Sequence, residues 1–265
     1  MKIRFTKMHG AGNDFMVIDD RELTFPAADA AYIADIASRR TGVGCEGIIL
    51  LQPAEQADLR MRFFNPDGSE VDMCGNGARC LARFAHELGA APAVMRMQTG
   101  AGIVHASVAE NEVTLELTPP AGLRCDLELD GIPWTADYVD TGVPHVVCWV
   151  EDPDPIDVQT WGSRIRHLAR FAPGGTNANF ASVGPDGKLI LRTFERGVEA
   201  ETLACGTGAA AAAVLAAARK WVSLPVAVHC ASGYDLLIDN SGGRCTLTGN
   251  AERIFDGEIW YGNRL

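Results

Sequence analysis

Cationic charge, clustered cysteines and long apolar runs are all scarce in this chain. Its 265 residues carry 23 Lys plus Arg against 34 Asp plus Glu, a formal net charge of −11. That surplus repels phosphate backbones and anionic lipid, so neither nucleic-acid nor membrane partners are expected. No Cys-x-x-Cys pair occurs, and the nearest cysteines, Cys74 and Cys80, have five residues between them; a structural zinc site has no support. The opening stretch MKIRFTKMHGAGNDF has no apolar core of signal-peptide length. The longest small-apolar run, 208–218, covers 11 residues and ends at Arg219 and Lys220, where a membrane span needs about 20. A cytoplasmic protein is therefore expected. In a reducing cytosol eight scattered cysteines are no disulfide scaffold, and most should be buried, inert, small apolar residues.

What is present is ordinary for a globular protein, with 47% hydrophobic and 22% charged residues. Short β-like runs dominate, at 48–52, 59–64, 94–98, 103–108 and 113–118, and turn residues separate them. Such spacing favours mostly antiparallel sheets or barrels. Helical patterning is confined to 28–40, 75–88, 158–170 and 206–220. The last of these is almost all alanine and leaves no wide polar face, so it should lie at the centre of its domain with sheet around it. The Pro119-Pro120 pair stops a strand and marks a domain boundary.

One sentence of sequence is written twice. Residues 62–79 read RFFNPDGSEVDMCGNGAR and residues 192–209 read RTFERGVEAETLACGTGA. The two cysteines, Cys74 and Cys205, stand 131 positions apart in a chain of 265. A duplicated unit that presents one thiol from each half is the simplest reading. Each helix begins at a glycine-flanked turn, where unpaired backbone N–H groups and the helix dipole favour an anion, naturally a carboxylate. Asn76 and Thr207 stand in these turns as further side-chain donors. The same field lowers a thiol pKa, so Cys74 and Cys205 are the cysteines expected to reach the thiolate form. Two opposed thiols suit removal of a Cα proton on one face and delivery on the other. Neither turn holds a Schiff-base lysine or a Walker lysine, so no pyridoxal phosphate, nucleotide or metal is implied.

KMHGAGNDF at 7–15, FFNPDGSEVDMCGNGAR, TGVPH at 141–145, GGTNANF at 174–180 and the second cysteine motif together resemble diaminopimelate epimerase, in the same order over the whole chain. The resemblance implies a cofactor-independent enzyme that interconverts LL- and meso-diaminopimelate in lysine and peptidoglycan precursor synthesis, typically as a homodimer. It implies an α+β fold of two pseudo-symmetric domains, each a β-barrel-like antiparallel sheet around a central helix. With the boundary above, these become 1–118 and 119–253, with a strand near 254–265 returning to the first and the active site in the cleft between them. By matching position, Cys74 and Cys205 resemble the acid–base pair, and Gly75 with Asn76 and Gly206 with Thr207 the carboxylate-holding turns. Asn13, Asn65, Asn177, Glu195 and Arg196 resemble substrate-holding residues, and His145 and Glu195 the pair that adjusts cysteine protonation. Taken singly, His145 reads as a turn histidine, Asn13 as a turn residue and Glu195–Arg196 as a surface ion pair.

Two departures bear on the substrate's far end: Gly47 stands where the family often has Gln, and Val143 where it often has Asn. The second motif also has one extra residue in Val198-Glu199-Ala200. These motivate a second reading, a related amino-acid racemase or a broad-specificity enzyme acting for example on glutamate. A third, non-catalytic reading is an amino-acid binder or thiol redox sensor.

Overall fold

A computed structural model describes residues 1–262; the final positions of the strand expected near 254–265 lie outside the described residues. The chain divides into two units. One comprises Met1–Leu115 and the chain from Gly249 onward, the other Glu116–Thr248.

In the first unit the elements are β1 (Lys2–Gly10), β2 (Asn13–Asp19), α1 (Ala30–Ala37), β3 (Gly47–Gln52), β4 (Leu59–Phe64), β5 (Glu70–Val71), α2 (Gly75–Glu87), β6 (Val94–Thr99), β7 (Gly102–Ala109) and β8 (Glu112–Leu117). In the second they are β9 (Ala121–Leu127), β10 (Ala136–Asp140), β11 (Pro144–Trp149), α3 (Val158–Arg166), β12 (Asn177–Val183), β13 (Leu189–Glu195), β14 (Ala200–Thr202), α4 (Gly206–Ala218), β15 (Val226–Cys230), β16 (Asp235–Asp239) and β17 (Cys245–Asn250). The last strand, β18 (Glu252–Trp260), returns to the first unit and pairs antiparallel with β1.

The two pairing schemes match strand for strand. In the first unit β18, β1 and β2 run antiparallel, β2 pairs parallel with β3, β3 antiparallel with β4, β4 parallel with β6, and β6, β7 and β8 antiparallel. In the second, β9 to β11, β12, β13 and β15 to β17 repeat that series. Each unit is thus mostly antiparallel, as the strand spacing suggested, with two parallel pairs among the described residues. The parallel pairs follow from the helices: a strand that re-enters beside its predecessor in the same sense needs a long crossover, and α1, α2, α3 and α4 each supply one.

The outer helices α1 and α3 pack on β3 and on β12 to β14 respectively, while α2 and α4 are central. Helix α2 lies against β1, β2, β3, β4 and β7, and α4 against β10 to β13, β15 and β16. Every residue of α4 from Gly208 to Leu215 is buried. With sheet on all sides there is no room for longer side chains, which is why the sequence there is alanine. Below α3, Val146, Cys148, Ala178, Phe180 and Phe194 form a core with Val158 and Ile165. Below α1, Met16, Ile18, Ile48 and Leu50 do the same with Ile33 and Ile36. Among the described residues no helix is long and apolar enough to cross a membrane.

Candidate active site

The four helices begin in two different ways. Asp29 caps α1 by accepting from the Tyr32 amide, and Asp157 caps α3 by accepting from the Thr160 amide. At the two central helices the capping position is held by a cysteine, Cys74 for α2 and Cys205 for α4, and neither side chain makes a capping bond. An N-cap Asp stabilises a helix by about 1 kcal/mol. Where it is forgone, the first-turn amides keep their capacity to bind an anion.

In the second unit the cysteine end of α4 meets strands β11 to β13. Cys205 is buried, and its sulfur lies 3.5 Å from Thr207 Oγ1. Thr207 Oγ1 is 3.0 Å from Nε2 of His145, and the Thr207 carbonyl accepts from the Thr141 hydroxyl at 3.2 Å. His145 is a fully buried strand residue of β11, which removes the turn-histidine reading; burial, with Arg196 adding to it, drops its pKa to about 3. Its ring is neutral at any working pH. Asn177, opposite His145 in the parallel register, donates to the Pro144 carbonyl at 3.0 Å and accepts from the Arg196 amide at 2.8 Å. Glu195 ends β13 and accepts from the Thr202 hydroxyl at 2.9 Å. The Arg196 guanidinium reaches only the Gly174 carbonyl, at 3.5 Å, among the described residues.

The thiolate expectation is corrected at Cys205. Burial, and after it the negative charge of Glu195, push this thiol far above its ordinary value, and the Thr207 hydroxyl and Gly208 amide offset only part of that rise. The helix-start field is real but smaller than the loss of water around the sulfur. Cys205 therefore rests as a thiol. Burial also raises Cys80 and Cys148 to about 12 and Cys245 to about 11, in line with inert core cysteines; Cys125 is exposed.

In the first unit half-buried Cys74 follows the β4–β5 hairpin. Asn65 sits in that hairpin's turn, its amide donating to Ser69 Oγ at 3.1 Å. Asn13 opens β2, and its carboxamide oxygen accepts from Asn76 Nδ2 at 3.0 Å while its nitrogen donates to Glu46. Asn76 Oδ1 in turn accepts from buried Arg79 at 3.0 Å. Beside this chain, buried Lys7 and exposed Arg39 grip Asp14, at 2.6 and 2.7 Å. Burial raises the Asp14 carboxyl, but the two cations outweigh it and hold the group low, whereas burial lifts Glu46. Asn76 and Thr207 thus spend side-chain bonds within the protein.

Gly47 has a local cause. A Cβ built there would come 2.4 Å from two ring carbons of Phe63, so the Phe63 ring occupies the space a longer side chain would need. Sequence reasoning passed over Glu46, Arg79 and Asn179. The last had a signal: Asn177 and Asn179 stand two apart in one strand and so face the same way. Among the described residues no group of three His, Cys, Asp or Glu side chains is placed to hold a metal ion.

Solved structures share this architecture. A phenazine biosynthesis protein of the PhzF family from Bacillus anthracis superposes with TM-score 0.73 at 18% identity, over 98% of this chain and 100% of that one. A probable proline racemase from Agrobacterium radiobacter K84 gives 0.72 at 17%, over 97% and 93%. At such identities the likeness is one of fold, the two-unit α+β class to which those proteins belong. Sequence narrows it. Residues 5–121 and 137–254 match the model of the diaminopimelate epimerase family. Diaminopimelate epimerases from Aquifex aeolicus and Chlorobaculum tepidum are 39% and 42% identical, over 97% and 95% of this chain and 98% and 99% of theirs. The chain belongs to the diaminopimelate epimerase family, and it is an isomerase.

Proposed function

We propose that this protein interconverts LL- and meso-diaminopimelate by proton transfer at Cα, in lysine and peptidoglycan precursor synthesis, with Cys74 and Cys205 as the acid–base pair and no cofactor. The observation that carries the reading is the equivalence of the two cysteines: each occupies the N-cap of the central helix of its unit, beside a glycine turn with an uncapped first turn. Backbone amides at both helix starts stabilise the negative charge that grows on the substrate carboxylate as the Cα proton leaves. Cys205, a thiol at rest, supplies a proton to one face after Cys74 takes one from the other. The Thr207 hydroxyl and the Gly208 amide then receive the charge left on its sulfur. Arg196, with Asn13, Asn65, Asn177 and Glu195, holds the rest of the substrate. The enzyme is taken as a cytoplasmic homodimer on the family resemblance, which sedimentation tests.

The reaction is read by deuterium uptake at Cα of LL-diaminopimelate in D2O with fully reduced protein. Exchange is expected in the wild type and lost on replacing either cysteine by Ala; wild-type protein without exchange would remove the proposal. The wall formed by Phe63 at Gly47 favours testing glutamate and other amino acids in the same assay, where a higher kcat/KM on a shorter substrate would select the racemase reading.

A further inference from the structure

The proton on Thr207 Oγ1 can point towards Cys205 or towards His145, and a residue outside the proposed acid–base and substrate set decides which. Asn179 is fully buried in β12. One of its carboxamide atoms lies 2.8 Å from the Val146 carbonyl oxygen and 3.1 Å from Nδ1 of His145. A carbonyl oxygen can only accept, so that atom is the amide nitrogen. Facing a donor, Nδ1 of the neutral ring must be the acceptor, which leaves the ring proton on Nε2. Nε2–H therefore donates to Thr207 Oγ1, whose own hydrogen is left for the Cys205 sulfur at 3.5 Å. The amide cannot turn over. Its oxygen is bonded by the Thr193 hydroxyl at 2.9 Å, and α4 presses on it: a Cβ at Gly208 would come 2.5 Å from Asn179 Oδ1.

We propose that Asn179 is a positioning residue which, by setting the His145 tautomer, turns the Thr207 hydroxyl into a dedicated hydrogen-bond donor to Cys205. This rests on the reading of Cys205 as an acid–base group. The order of bonds is Asn179 N–H to His145 Nδ1, His145 Nε2–H to Thr207 Oγ1, and Thr207 O–H to Cys205 Sγ. No proton moves along it during turnover; the chain holds a donor ready for the thiolate that appears when Cys205 gives up its proton. Glu195 and Cys230, the other titratable groups acting on this sulfur, both oppose its ionisation, so the oriented hydroxyl is a counterweight.

The test uses the full-length reduced protein and three readouts: imidazole nitrogen NMR of His145, the rate of Cys205 alkylation by iodoacetamide at pH 8 followed by mass spectrometry, and Cα exchange. In the wild type His145 should be protonated on Nε2 and bare on Nδ1. Asn179→Asp presents an acceptor instead, and should move a proton onto Nδ1. Thr207→Val breaks the same chain without adding charge. It should slow Cys205 alkylation and kcat by about tenfold each, the effect of one pKa unit, with KM changed by less than about twofold. Thr207→Ser, which keeps the hydroxyl, should restore both. A wild-type ring protonated on Nδ1, or alkylation in Thr207→Val equal to wild type, would overturn the assignment. Wild-type protein with the expected tautomer and alkylation but no exchange would instead sink the epimerase reading and leave the bond order standing.

Discussion

At the scale of single residues, Cys205 and His145 are governed by loss of water more than by local charge. Cys205 sits at the start of a helix, yet it stays protonated because burial and Glu195 outweigh the donors around it. Replacing Glu195 by Gln keeps an acceptor for the Thr202 hydroxyl and removes the opposing charge. That variant should alkylate at Cys205 roughly threefold to tenfold faster at pH 8, as followed by mass spectrometry. His145 carries the complementary cost. Burial drops its pKa to about 3 from the ordinary 6.5, so below pH 6.5 the unfolded chain binds a proton that the folded chain refuses. Its effect is absent above pH 6.5 and grows as pH falls towards 3, reaching on the order of 5 kcal/mol of lost stability. His145→Gln should flatten that part of the acid-unfolding curve, measured by urea titration at several pH values.

At the scale of elements, α2 and α4 are alike in position and unlike in composition. Helix α2 carries Arg79, Arg83 and Phe84, whereas α4 between Gly208 and Ala218 has only Ala, Val and Leu after its glycine. The alanines record how closely the strands approach. Ala212 is fully buried, and Ala212→Leu should destabilise the protein by about 1–3 kcal/mol through overpacking, measured as a fall in urea unfolding free energy. The uncapped helix starts belong to this scale too. An Asp cap at α1 and α3 against a cysteine at α2 and α4 shows capping stability forgone at the two central helices.

At the scale of the whole molecule, the duplication is visible in its ion pairs. Arg62 makes a two-pronged contact with Glu70, both bonds 2.7 Å, and Arg192 makes the same contact with Glu201. Each pair ties the hairpin that leads into a cysteine. The copies have diverged: Arg192 also donates to the carbonyls of Pro153, Asp154 and Ile156, while Arg62 stacks over Phe64 at 5.0 Å. Arg192→Ala should therefore cost about 3 kcal/mol, and Arg62→Ala about 1 kcal/mol, in parallel urea titrations. Equal losses would show that the carbonyl contacts contribute nothing.

The sequence by itself determined the repeat, the two thiols, the position of the central helices and the family, because each rests on local spacing: a doubled motif, an apolar run, a glycine turn. It also placed the five strands it named to within a residue at each end, as at Leu59–Phe64 and Val94–Thr99. Only the tertiary structure decided that the sheets are mixed, since parallel pairing depends on where a crossover helix brings the chain back. It alone put Asn179 against His145, from residues 34 apart in sequence, and Glu46 against Asn13. It alone reversed the expected state of Cys205, because a thiol pKa depends on how much water the surrounding strands remove, and no motif encodes that.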